Sequence, residues 1–173
     1  MDLSAQTRLL AAYNAWANRR LYDAASLLSE EEYRRDCGAF FRSMQGTLNH
    51  VLVGDRVWMK RFTGEGDHPK TLDAVLFDHF DDLRAAREAE DARILCWADT
   101  LDAGQLDGSF TFTMITLPDR VTQKLAPCVS HFFNHQTHHR GQAHTILSIL
   151  GKEPPPLDLI YFTRTDAGKA LTG

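Results

Sequence analysis

The sequence predicts an all-α protein, a four-helix bundle in one domain spanning residues 1–173, with a short β-hairpin or extended segment before the last helix. Three observations predict it. Four long stretches carry apolar residues at helical spacing. The breaks between them fall at glycine, proline and helix-capping residues. Only the stretch 108–124 alternates in the manner of strands. The chain has 173 residues, 43% of them apolar and 24% charged, enough for one substantial core and unlike a disordered chain.

The first helix covers 4–28, with a stripe at Leu10, Tyr13, Ala17, Leu21, Ala24 and Leu28. A polar stretch, 29–42, follows. The second helix covers 43–62, with Ser43 placed to cap its start and Gly64 past its end. The loop from Gly64 to Lys70 breaks the pattern, and a third helix covers 76–102. Between 108 and 124, β-branched and aromatic residues alternate, and Leu117-Pro-Asp-Arg120 supplies a turn. The fourth helix starts near Ala126-Pro127 and ends at Leu150-Gly151, where Pro154–Pro156 forbid its resumption. The tail carries Leu157, Leu159, Ile160, Tyr161 and Phe162, which should fold back on the helices.

Net charge is −4, without the basic footprint of a nucleic-acid binder. Cys37, Cys96 and Cys128 are odd in number and form no CxxC, so they predict neither a disulfide framework nor a sulfur-ligated metal, and they suit a reducing cytoplasm. The opening residues lack the apolar core of a signal peptide, and no run approaches a membrane span. The expectation is a cytoplasmic protein with no membrane or nucleic-acid partner.

Five of the eight histidines fall between His131 and His144. On a helix whose apolar stripe runs through Val129, Phe132, Ala143, Ile146, Leu147 and Leu150, His139 lies about 20° and His135 about 60° from the stripe's centre. His131 and His138 fall at its margin, and His144 points to the opposite half. His135 and His139 are therefore an inward i,i+4 pair able to share one metal ion. With Gln136 they put polar groups where a plain bundle carries Leu or Ala, which is costly without partners. Satisfied core histidines are the competing reading.

A third ligand should come from another helix, and His50, His68 and His79 are the candidates. Periodicity leaves His50 open. The main stripe of the second helix is Met44, Leu48, Val51, Leu52, Met59 and Phe62, whereas His50 shares a second apolar face with Val53, Gly54 and Val57. Two apolar faces predict a helix between the core and a subunit interface, hence a homodimer. Asp55 falls inside the main stripe and needs an arginine, a metal or solvent. Arg87 and Asp91 interrupt the third helix's stripe as an i,i+4 pair, either an ordinary surface pair or one partly buried beside the site.

The run Asn134-His-Gln-Thr-His-His-Arg-Gly-Gln142 resembles the signature of the DinB-like family of bacterial metal-binding bundle proteins. Tyr13-Asn-Ala-Trp-Ala-Asn18 resembles that family's first helix, Leu48–Trp58 its second and Asp158–Thr163 its closing segment. The resemblance implies an up-down-down-up bundle, commonly dimeric, with a divalent ion, Zn²⁺ or Ni²⁺, held by His50, His135 and His139. Activities assigned in the family include thiol-dependent S-transfer and a mycothiol-dependent isomerisation, but a fold and a metal do not fix a reaction.

Three imidazoles leave a metal position open, the catalytic pattern. The helix reads His135-Gln136, without the glutamate base of zinc proteases, and no nucleophile-elbow, P-loop or dinucleotide motif occurs. The expectation is a metal-dependent enzyme acting on a small molecule, a thiol S-transferase ahead of a hydrolase, with a low-molecular-weight thiol as cosubstrate. Gln136 or Arg140 could position that thiol or stabilise developing negative charge. The rival expectation is a non-catalytic, stress-related metal-binding or interaction protein, its site sealed by His138 or Asp55 as fourth ligand.

Overall fold

The computed structural model describes residues 1–67, 69–114 and 119–173, and it is mostly helical with one small antiparallel sheet. Helix α1 (Leu3–Ala25) starts where the Asp2 carboxylate accepts from the Ala5 N–H at 2.7 Å. The polar stretch 29–42 contains one short helix, α2 (Glu30–Arg34), with a Ser29–Glu32 capping box at its start. Helix α3 (Met44–Thr63) is bounded as its sequence predicts. Ser43 Oγ accepts from the Gly46 N–H at 3.0 Å, and Gly64 ends it at φ 76°, where a side chain would be strained.

Helix α4 (Phe80–Thr100) begins four residues later than its apolar pattern suggests. Asn49 is the cause. Its Oδ1 accepts from the Leu76 and Phe77 N–H groups at 2.8 and 3.0 Å, and its Nδ2 donates to the Phe77 carbonyl at 3.1 Å. These bonds hold the segment against α3 in place of a first helical turn. A short α5 (Ala103–Asp107) then leads into the hairpin β1 (Ser109–Thr113) and β2 (Arg120–Lys124), which pair from Ser109↔Lys124 to Thr113↔Arg120. Half of the turn expected at 117–120, Leu117 and Pro118, lies outside the described residues, as does His68. Helix α6 (Leu125–Ile149) follows, then α7 (Leu159–Phe162) and α8 (Asp166–Thr172).

The tail does fold back. Phe162 is buried against Tyr13 and Trp16, and the Tyr13 hydroxyl donates to the Leu157 carbonyl at 2.8 Å, whereas Ile160 and Tyr161 stay exposed. Among the described residues, no helix is long and apolar enough to cross a membrane.

Helix α1 packs on α4 and α6, and α3 packs on the same two. Their apolar faces form two clusters. One joins Leu21, Met44, Leu48, Leu52, Leu83 and Ile146; the other joins Ala11, Met59, Ile94, Ala98, Val129 and Phe132. Between these levels in all four helices lies a buried polar belt of Asn14, Asn18, Asp55, Arg87, Asp91, Gln136 and Arg140. The Arg87–Asp91 pair is therefore not a surface pair. Arg87 lies 2.9 Å from Asp91 and 2.5 Å from Asp55. Asp55 thus has the arginine its position demands.

The second apolar face of α3 is covered within the chain. Val53 and Val57 are buried, and Gly54 lies directly against the His135 ring of α6.

Candidate metal centre

Gly54 is what brings α3 and α6 close enough to form a site. A Cβ there would sit 2.6 Å from His135 Cε1, so only glycine lets the ring lie flat against the α3 backbone. One turn earlier on α3, His50 meets both histidines of α6. Its Nε2 lies 3.1 Å from His139 Nε2 and 3.3 Å from His135 Nε2, and one ligand atom from each of the three falls within 4.8 Å of the others. The structure thus brings together His50, His135 and His139. His79 lies at the start of α4, outside this cluster.

The outer nitrogens fix the rings. His50 Nδ1 lies 2.7 Å from the Leu72 carbonyl, an acceptor only, so this nitrogen carries the proton. His139 Nδ1 faces Gln142 Oε1 at 2.8 Å in the same sense. Phe41 stacks on His50 with centroids 3.7 Å apart and meets His139 edge-on. Burial, reinforced by neighbouring imidazoles, depresses His50 to about 4 and His135 to about 3, and burial also lowers His139. All three rings are neutral at pH 7.

These facts test the fit of a metal. His50 and His139 point unprotonated Nε2 lone pairs at each other across 3.1 Å, a repulsive contact unless a cation accepts both. The edge of a tetrahedron around an ion with nitrogen bonds of about 2.0–2.1 Å is ~3.3 Å, close to the observed spacings. Outer hydrogen bonds that set tautomer and ring orientation are the usual support of metal-ligating histidines. The donor set fits a divalent ion.

The other residues singled out by sequence lie elsewhere. Asp55 is fully buried, with Arg87 on one oxygen and Gln136 Nε2 donating to the other at 2.8 Å. Burial pushes its carboxyl up to about 6 against the pull of Arg87 and Gln136. His138 is exposed, its Nε2 3.3 Å from Gln142 Nε2. Neither supplies a fourth ligand. Arg140 is buried over the Tyr13 ring and donates to Asn14 and Asn18, whose amides in turn reach Asp91. Gln136 and Arg140 therefore bond within the polar belt.

A cleft of about 240 Å³ opens beside the cluster, lined by His50 and His135 at one end and by Val57, Trp58, Met114, Arg61 and His131 beyond. Burial and the nearby Arg61 lower His131, leaving it neutral at pH 7. Arg61 and His131 are the residues that sequence reasoning passed over. The signal was present: His50, Gly54, Val57 and Arg61 follow i, i+4, i+7 and i+11 on one face of α3.

A histidine cluster of this kind between helices, beside an open cleft, is compatible with metal binding in a helical protein, and comparison with known sequences gives the family. The sequence model described as the DinB family matches residues 1–169, and the chain belongs to that family. A curated relative, Protein DinB of Bacillus subtilis (strain 168), is 27% identical over 168 residues, covering 91% of this chain and 95% of its own length.

Proposed function

We propose that His50, His135 and His139 hold one divalent ion, Zn²⁺ or Ni²⁺, and that the chain uses it to transfer a small-molecule thiol to an electrophilic substrate. One observation carries this reading. Three neutral imidazoles converge beside an open cleft, and no fourth protein ligand stands with them among the described residues. Three ligands and a vacant position are the catalytic pattern, whereas structural sites close with four.

When bound in such a site, a divalent ion lowers the pKa of a thiol or water that takes its open position. The chain's own residues do the rest. The Leu72 carbonyl and Gln142 hold two of the rings in place. Val57, Trp58 and Met114 wall the cleft. His131, neutral and on the cleft, would take the proton that the thiol loses on becoming a thiolate. As the sulfur bonds to the substrate carbon, the displaced electron pair would depart with the substrate's leaving group.

The sulfur comes from a cosubstrate because none of the protein's own thiols lines the cleft. Cys37 bonds the Arg35 carbonyl, Cys128 bonds Gln123, and Cys96 is exposed on α4. Free thiols fit the cytoplasm as the protein's setting. We further propose that the long helices form an up-down-down-up bundle. In support, the C-terminal residues Leu21 of α1 and Ile146 of α6 share a cluster with the N-terminal residues Met44 of α3 and Leu83 of α4.

Cobalt substitution tests the thiol role. Adding cysteine, glutathione or another low-molecular-weight thiol to the Co²⁺ protein should produce sulfur-to-cobalt charge-transfer absorption, and the same thiol should support transfer to a model electrophile. If no thiol perturbs the cobalt spectrum or supports turnover, the S-transferase reading fails; ester cleavage without thiol would point to a hydrolase.

A further inference from the structure

Among the described residues Arg61 is the one arginine that lines the cleft beside the histidines, and it lies over two aromatic rings where Arg20, Arg56 and Arg140 each lie over one. Its guanidinium lies over the rings of Trp58 and Phe112, 4.6 and 4.7 Å from their centroids. Among the described residues, its one hydrogen bond is a long 3.5 Å contact from Nη2 to the Thr113 carbonyl. Arg34, Arg84, Arg87 and Arg93 all meet carboxylates, but no ion pair among the described residues includes Arg61. Half-burial lowers its pKa, with only the Cys128 thiol acting the other way.

Holding a cation in that way is costly, and the cost is recovered only when an anion enters. The aromatic rings stack on the guanidinium face and hold the planar fork flat, which leaves its edge of donors for a partner. Arg61 lines the cleft together with Trp58 and Val57 as well as His50 and His135.

We propose that Arg61 is the substrate's anion-binding residue, and that the substrate is a small molecule joining a carboxylate or similar oxyanion to an apolar body. This rests on the metal-centre reading for the position of the reacting end. The anionic group pairs with Arg61, the apolar body lies along Val57 and Trp58, and the reacting atom reaches the histidines. Arg61 lies seven residues beyond Gly54, or ~10 Å along the axis at about 1.5 Å per residue, which sets the distance between the two ends. A bidentate arginine contact fixes orientation as well as affinity, so Arg61 would determine which end of the substrate reaches the metal.

The test uses a sulfonate, which is a weak metal ligand, so that binding reports the arginine and not the ion. Benzenesulfonate and its neutral counterpart methyl phenyl sulfone are titrated calorimetrically into the metal-loaded full chain, and into Arg61→Gln and Arg61→Lys, with metal content measured on every sample. The wild type should bind the sulfonate at least tenfold more tightly than the sulfone. Arg61→Gln should abolish that preference with its metal content unchanged. Arg61→Lys, which keeps the charge and the stem, should retain a reduced preference and shows that the position tolerates substitution. Equal binding of the two probes, no binding of the sulfonate, or a preference that survives in Arg61→Gln would overturn the proposal. Absence of metal from the wild type would instead count against the metal-centre reading, and the anion preference would still be measured on the same protein.

Discussion

Replacing Gly54 with alanine separates the needs of the metal site from those of the helix. In an ordinary helix interior the change stabilises by about 0.8–1.0 kcal/mol through propensity. Here the new Cβ would stand 2.6 Å from His135 Cε1 and 3.1 Å from Nδ1, where ordinary contact begins at 3.4 Å. The ring must retreat by about 0.8 Å, beyond the ~0.5 Å tolerance within which a site keeps its geometry. Without metal the ring moves at a rotamer cost of about 0.5–1.5 kcal/mol, which roughly cancels the propensity gain. With metal it must leave its place in the ligand set. Metal affinity should fall on the order of 10–100-fold, as when the support of a ligand is lost. The metal-dependent gain in stability should shrink by about 1.4–2.7 kcal/mol. Competition with a chromophoric chelator gives the affinity, and denaturant melts with and without chelator give the stability. A variant that is simply more stable and binds metal as tightly as the wild type would refute the account of why glycine stands at this position.

Other predictions follow from the same geometry. Arg87→Met leaves Asp55 and Asp91 buried without their cation, and should cost about 3–5 kcal/mol in urea unfolding; a loss below about 1 kcal/mol, as for an exposed pair, would contradict the buried belt. Asn49→Ala frees the 76–77 backbone and with it the segment whose Leu72 carbonyl holds His50, so metal affinity should fall severalfold with all three ligands intact; unchanged affinity would show that the Leu72 contact is idle. Acid should destabilise the metal-free fold through the histidines. Their folded pKa values, about 4 for His50 and about 3 for His135, lie below the unfolded 6.5, so their contribution is complete above pH 6.5 and is lost as pH falls towards 4. Asp55, raised to about 6 from 3.8, acts in the opposite sense because the folded protein holds its proton first. Comparing wild type with His135→Asn isolates the histidine part: the wild type should lose more stability between pH 6.5 and 4, and parallel curves would contradict the burial of that ring.

Much of this fold is legible in the sequence because its signals are local. Ser43 and Gly64 bound α3, and Gly151 with the prolines bounds α6, because capping and backbone freedom act within a turn of the residue concerned. The inward pair His135 and His139 is legible for the same reason, being fixed by helical phase alone. The Ser29–Glu32 capping box was also local, and reading 29–42 as merely polar missed it. What periodicity could not supply is which neighbour an element meets. His50 sits on one of two apolar faces of α3, and only the packing of Gly54 on His135 selects it. The start of α4 was misplaced because Asn49, on a different helix, captures the backbone of Leu76 and Phe77. Gln136 and Arg140 share the histidine-rich stretch of α6 but turn to Asp55 and Asn14. Arg61 reads as one more surface cation until it is seen to line the cleft with the histidines.

The central claim is that three histidines hold a metal ion, and metal content tests it most directly. Untagged protein should be analysed by elemental mass spectrometry beside the His135→Ala/His139→Ala double variant. The account predicts about one zinc or nickel ion per chain in the wild type and none in the double variant. No stoichiometric metal in the wild type, even after reconstitution with Zn²⁺ and with Ni²⁺, would contradict it.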